Sequence, residues 1–255
     1  KANLYFKVDL SRHLSDEYFV LFEDIFQNTW MKIGQSLPNY GLRIDDHTSF
    51  IRGGNVNSIF SGNDTEYDEG LFFDVSKESP ILIEWGAKFN STYLTFGMAN
   101  NYISNNSLDG IINFSSSINS YYQIDNLSIL TGISFMKESD VKSYSLFGGF
   151  SIEKYSFLFE MDKVENWIQD LNSYATMIQM TYEPIQGFHL LAKYDYFDRN
   201  YDISSGTVGR KTLGFELYPL NVLEIDFQVR QYELEDLTTN GTKDTEFLIQ
   251  VHSWF

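Results

Sequence analysis

Residues 43–52 carry Arg43, Asp45, Asp46, His47 and Arg52. Two guanidinium groups, two carboxylates and an imidazole in so short a stretch suit one kind of chemistry, the shaping of an electric field. Set in a narrow passage, mixed charges of this kind orient a dipolar solute between opposing potentials. Set on a surface, they would only pin a flap through their own ion pairs. Further on, Asp64, Glu66, Asp68 and Glu69 offer the hard oxygen ligands that Ca²⁺ takes. They lack the spacing of an EF-hand loop, so no metal site is expected.

Catalysis is not expected either. His13, His47, His189 and His252 are the four histidines, and none stands in a zinc-binding or nucleophile-elbow spacing. A serine and a histidine brought together from distant strands would be the one route to a hydrolase. With no Cys there are no disulfides, thiolate metal sites or covalently attached haem, and no cofactor is expected. A net charge of −17 argues against nucleic acid as a partner.

What must position these residues is a long series of strands. VLEIDFQVR puts Leu223, Ile225, Phe227 and Val229 on one face and Glu224, Asp226, Gln228 and Arg230 on the other. KTLGFELY sets Leu213, Phe215 and Leu217 against Thr212, Gly214 and Glu216. GFHLLAKYDYF sets Phe188, Leu190 and Ala192 against His189, Leu191, Lys193 and Asp195. The same period of two runs back through residues 174–182, 155–161, 144–152 and 127–135. No apolar run reaches the roughly 18 residues of a membrane helix. The mean hydropathy of −0.26 looks soluble, but a barrel with an apolar outside and a wet inside gives that average too.

The connections point the same way. Short turns fall at 153–154, 183–187 and 219–221, and longer polar segments at 163–172, 198–209 and 233–244. Short turns at one end and long loops at the other are the arrangement of bacterial membrane barrels. Tyr122, Tyr155, Tyr182 and Tyr218 collect near the short turns, and Tyr144, Tyr174 and Tyr196 near the long loops, as aromatic girdles would. The four prolines, Pro38, Pro80, Pro184 and Pro219, sit at strand ends or turns, where no ladder donor is lost.

The expected fold class is all-β: a closed antiparallel transmembrane β-barrel of about fourteen strands, with twelve or sixteen as alternatives. The strands are 3–10, 17–25, 28–36, 80–89, 91–99, 108–119, 126–136, 142–152, 155–162, 173–183, 187–197, 208–218, 221–232 and 245–255. The even count puts both termini on the periplasmic side. Residues 1–255 form one barrel domain, with a long loop at 37–79 that can fold into the lumen. LFFDVSKE (71–78) could be one further strand. The last strand, ending at Phe255, is expected to close on the first, because lipid cannot solvate a free sheet edge. A soluble β-sandwich would leave that terminal Phe and the tyrosine rings unexplained. No export signal starts at Lys1, so one would be removed or lie outside this numbering.

Alternation assigns Lys7, Asp9, Glu23, Lys32, Glu84, Lys88, Glu160, Lys193, Asp195, Glu216, Glu224, Asp226 and Arg230 to the lumen. Carboxylates outnumber cations, so the wall is weakly acidic and favours cations. The plainer reading is that such charges pair across strands and only keep the interior wet.

TWMKIGQSLPNYGLR (29–43) resembles a strand of the phosphate-selective porin O/P-type family, through Lys32, Gly34, Pro38, Tyr40, Gly41 and Leu42. LTFGMANN (94–101) is similar to a second strand of that family, and YEPIQGFHLLAKYDYF and LYPLNVLEIDFQVRQYE to its hairpins. The resemblance implies an integral outer-membrane porin, a channel for passive diffusion of small hydrophilic solutes or ions, narrowed by the loop that follows residue 36. It implies outer-membrane lipid as surroundings and a barrel-assembly machinery that reads Phe255. It does not carry over the anion preference, which needs a lumenal ladder of Arg and Lys. The alternatives are a barrel acting as a sleeve for a partner protein, such as a periplasmic lipoprotein or a multihaem electron carrier, and an outer-membrane hydrolase. A homo-oligomer or an extracellular partner is compatible with either reading.

Overall fold

A computed structural model describes residues 1–9, 14–42, 80–100, 112–167, 171–203, 206–235 and 242–253. These form fourteen strands: β1 (Ala2–Asp9), β2 (Leu14–Glu23), β3 (Thr29–Gln35), β4 (Ile81–Phe89), β5 (Thr92–Asn100), β6 (Ile112–Ile124), β7 (Leu127–Glu138), β8 (Val141–Ile152), β9 (Tyr155–Trp167), β10 (Leu171–Ile185), β11 (Phe188–Asp198), β12 (Thr207–Leu220), β13 (Leu223–Glu235) and β14 (Thr242–Ser253). They make one antiparallel sheet in chain order, β1 to β14. None of the ladders between described residues joins β14 back to β1.

The connections fall into two sets. At one end they are 24–28, 90–91, 125–126, 153–154, 186–187 and 221–222. At the other they run from residues 139–140 to the long stretch between β3 and β4. Asn90, Asp125, Ser139 and Glu153 open two-residue turns in the left-handed region. Such backbone matches the twist of the strands it joins. β1 begins and β14 ends at the short-turn end, since Ala2 pairs with Phe22 and Ser253 with Leu223.

Within the segment 163–172, residues 163–167 and 171–172 are strand and not loop. β9 runs to Trp167 and β10 starts at Leu171, because Ser173, Tyr174 and Ala175 extend the ladder to Val164, Lys163 and Asp162. Polar residues there belong to strands that rise beyond the apolar band.

The face rule holds along the chain. Leu213, Phe247 and Ile249 are 66%, 71% and 68% exposed, and Phe215, Leu223, Ile225 and Phe227 are half-buried. The half-burial comes from their own neighbours: the Phe215 ring stacks on Phe227 at 5.4 Å and meets Phe188 at 5.8 Å. Among the described residues no second layer covers this surface, which suits a hydrocarbon solvent. Tyr155 stacks on Tyr182 at 4.7 Å on the same outer face, near the short turns. Tyr218 departs from that girdle. It shares the inner face with Glu216, to which its hydroxyl donates at 3.4 Å.

The opposite face carries the polar set and also a small apolar core. Met136, Val164, Trp167, Ala175, Phe197 and Val208 bury one another together with Tyr40, and Phe147 and Met177 do so with Leu42. Tyr40 and Leu42 belong to no strand.

Candidate functional site

The inner wall of β11–β13 is built in rows. Lys193 lies opposite Thr212, and Thr212 opposite Arg230; Asp195 lies opposite Arg210, and Arg210 opposite Tyr232. Arg210 donates from Nε and Nη2 to Oδ2 of Asp195 at 3.2 and 3.0 Å, and Lys193 Nζ lies 3.0 Å from Oδ1. Arg230 donates to Gln228 at 2.8 Å, and Gln228 to Asp226 at 2.6 Å. Glu246 of β14 takes the Tyr232 hydroxyl at 3.1 Å and lies 3.6 Å from Arg230. Each cation therefore has a carboxylate or an amide beside it, which offsets the cost of taking charge out of water. The sequence placed Lys193, Asp195, Glu216, Glu224, Asp226 and Arg230 on this wall, and the structure brings them together there. Arg210, Glu246, Glu138 and Asp162 escaped notice, although Arg210 stands two residues before Thr212 and so had to share its face.

The second part of the site is residues 36–42, which leave β3 and run along the inner wall. The Leu37 amide donates to Glu17 at 3.2 Å. The Asn39 amide and Nδ2 donate to Glu84 at 3.0 and 3.3 Å. The Gly41 amide donates to Ser134 Oγ at 3.0 Å, and the Leu42 amide to Glu160 at 3.1 Å. In six residues the segment passes from β2 over β4 and β7 to β9. Small wall residues make the room: Ser134 takes the Gly41 amide and donates to Ser117, and Ser145 donates to Glu160, all three serines being buried. Gly41, at φ 59°, turns the chain where an L side chain would be strained. Lys32 closes the near end, with its ammonium 3.2 Å from Glu84 and donating to the Leu37 carbonyl at 3.3 Å.

Glu84 and Glu160 are 0% and 1% exposed. They face inward as the alternation required, and their oxygens accept from the backbone amides of residues 39 and 42. Lys88 lies at the open end of β4 beside the turn, over the Tyr93 ring at 5.1 Å. Arg43, Asp45, Asp46, His47, Arg52, the acidic run 64–69, the 71–78 strand, His13 and Phe255 lie outside the described residues, as do the side chains of Lys7 and Asp9.

The short-turn end holds a third group. His189 Nδ1 lies 3.2 Å from Glu216 and Nε2 3.6 Å from Glu183, and His252 Nδ1 lies 3.5 Å from Glu224. Both described histidines thus sit against carboxylates. Among the described residues, no three His, Asp or Glu side chains gather as a metal would require.

No family model matches the sequence, and no curated protein does. Solved structures do match. OmpT, an outer-membrane protein of Vibrio cholerae, superposes with a TM-score of 0.62 at 10% identity, over 98% of this chain and 83% of that one. The anion-selective porin of Comamonas acidovorans gives 0.59 at 12%, over 99% and 82%. OpdK of Pseudomonas aeruginosa, solved with vanillate, gives 0.58 at 12%, over 98% and 72%. Likeness at this identity shows the fold: a porin-type antiparallel β-barrel.

Proposed function

We propose that the chain is an outer-membrane channel for passive diffusion of small hydrophilic solutes or ions, and not an enzyme, in which the segment following β3 enters the lumen and narrows it. The observation that carries this reading is the row of backbone hydrogen bonds from residues 37–42 to Glu17, Glu84, Ser134 and Glu160 on the inner wall. A chain held at four successive points on one side of a barrel reduces the open cross-section. The residues that resemble the phosphate-selective porin O/P type, Pro38, Tyr40, Gly41 and Leu42, are the ones that shape this entry, which favours a member of that type. The short-turn end, with both chain ends, is the periplasmic one in this reading.

The sleeve alternative has less to support it, because the chain's own segment already lies against the wall at β4, β7 and β9. The hydrolase alternative has His189 and His252 on carboxylates and no seryl partner for either among their described contacts. Planar bilayers test the proposal. The purified barrel should give discrete conductance steps, and deletion of residues 43–79 should enlarge them several-fold. Intact bilayers with no steps from either protein would sink it.

A further inference from the structure

On the outer face, at the end bearing the long connections, Lys137 of β7 lies directly opposite Lys142 of β8. Like charges opposed across a ladder repel. Neither ammonium makes an ion pair with a described residue. The other outward lysines of that rim are neutralised: Lys163 by Glu165 at 3.1 Å, and Lys211 and Lys243 by Glu233 at 3.2 and 3.0 Å. Acidic residues outnumber basic ones in the chain, 35 to 18. A lysine pair with no anion among the described residues is therefore unexpected, and it points to an anion from outside. Glu165, the cross-strand neighbour of Lys142, is taken by Lys163. Glu138 is buried on the inner face, and the Asp140 carboxylate in the turn makes no ion pair with either lysine; only its backbone carbonyl is engaged, by Asn166.

The rows beneath the pair identify the anion's class. One row toward the membrane centre, Phe135 faces Tyr144, with rings 5.4 Å apart. One row further, Ile133 faces Leu146, 54% and 48% exposed. Cation pair, aromatic pair and aliphatic pair follow one another as headgroup, interface and hydrocarbon do. Resting on the membrane-barrel reading above, we infer that Lys137 and Lys142 bind the phosphate of a lipid headgroup whose acyl chains lie along Phe135–Tyr144 and Ile133–Leu146. Two ammonium donors on one phosphate also relieve their mutual repulsion.

Dioctanoyl phosphatidic acid added to the detergent-solubilised barrel and read by native mass spectrometry tests this, with dioctanoyl phosphatidylcholine and inorganic phosphate as comparison probes. The phosphatidic acid should bind at least tenfold more tightly than either, and the Lys137→Gln, Lys142→Gln double variant should lose that preference. The same lipid should raise the thermal midpoint of the wild-type barrel, a readout that needs no variant. Equal binding by the double variant, or binding of inorganic phosphate as tight as that of the lipid, overturns the inference. A barrel that conducts in bilayers yet shows no lipid preference overturns it while leaving the channel reading intact.

Discussion

The amide of Leu42 donates to the carboxylate of Glu160 at 3.1 Å, across 118 positions of sequence. The same carboxylate takes the Ser145 hydroxyl at 3.2 Å, and the Leu42 side chain lies in the cluster with Phe147 and Met177. One inward glutamate thus fixes the far end of the segment that crosses the wall, by hydrogen bond and by the apolar pocket around it.

Loosening that tether should open the pore. Glu160→Ala strips the buried Leu42 amide of its acceptor, at a cost of about 1–3 kcal/mol. The barrel should still fold, since the strand ladders are untouched, and it should still run as a heat-modifiable band. Its conductance steps should be larger and noisier than those of the wild type, and Glu160→Gln, which keeps an acceptor oxygen, should lie between. Steps of unchanged size in Glu160→Ala would show that residues 37–42 do not limit the path.

The Arg210–Asp195 pair gives a stability prediction of the opposite kind. Both side chains are almost fully buried. Arg210→Ala leaves Asp195 with Lys193 alone in a water-poor wall, and removal of one partner from such a pair costs about 3–5 kcal/mol. The double variant Arg210→Ala, Asp195→Ala should recover part of the loss. Urea unfolding in lipid vesicles measures both, and a double variant worse than the single one would deny the coupling.

How much of this was readable in advance depends on distance along the chain. Alternation needs only neighbours two apart, so the strands, the lipid face of Leu213 and Phe247 and the inward wall of β11–β13 were legible. The anchoring of Leu42 on Glu160 was not, because no local pattern announces a bond between strands so far apart; only the loop's length and its Pro38, Tyr40, Gly41, Leu42 run hinted at a special path. The strand ends misled for a physical reason as well. Beyond the apolar band a strand needs no greasy side chains, so Lys163–Trp167 read as loop. Near the turn Tyr218 read as girdle, although its parity with Glu216 points it inward.

The outer face can be tested at Phe227, which stacks on Phe215 and sits mid-strand with Ile249 opposite. Phe227→Arg should destabilise the barrel by about 2–4 kcal/mol if that position lies at the bilayer midplane. The inner wall gives the contrast: Thr212→Asp should cost less, because its ladder partners on either side are Lys193 and Arg230. Folding titrations into vesicles would compare them, and equal losses would contradict the assigned facing.

Selectivity is the last prediction, and the wall gives it a sign. Lys193, Arg210 and Arg230 are each held by carboxylates or amides, so they present little free positive field. Glu216 and Glu224 at the short-turn mouth have histidine or tyrosine neighbours, and among the described residues no lysine or arginine pairs with either. With a whole-chain charge of −17, cations should concentrate at the entrances within a Debye length of about 8 Å at physiological salt. Arg43 and Arg52 carry the opposite sign, and a guanidinium close to the path would offset part of this, because Coulomb energy falls with distance. The expected outcome is a modest cation preference, read as a reversal potential under a salt gradient, that becomes stronger in Arg43→Ala, Arg52→Ala. An anion preference in the wild type that vanishes in the double variant would show that the loop sets the field and not the wall.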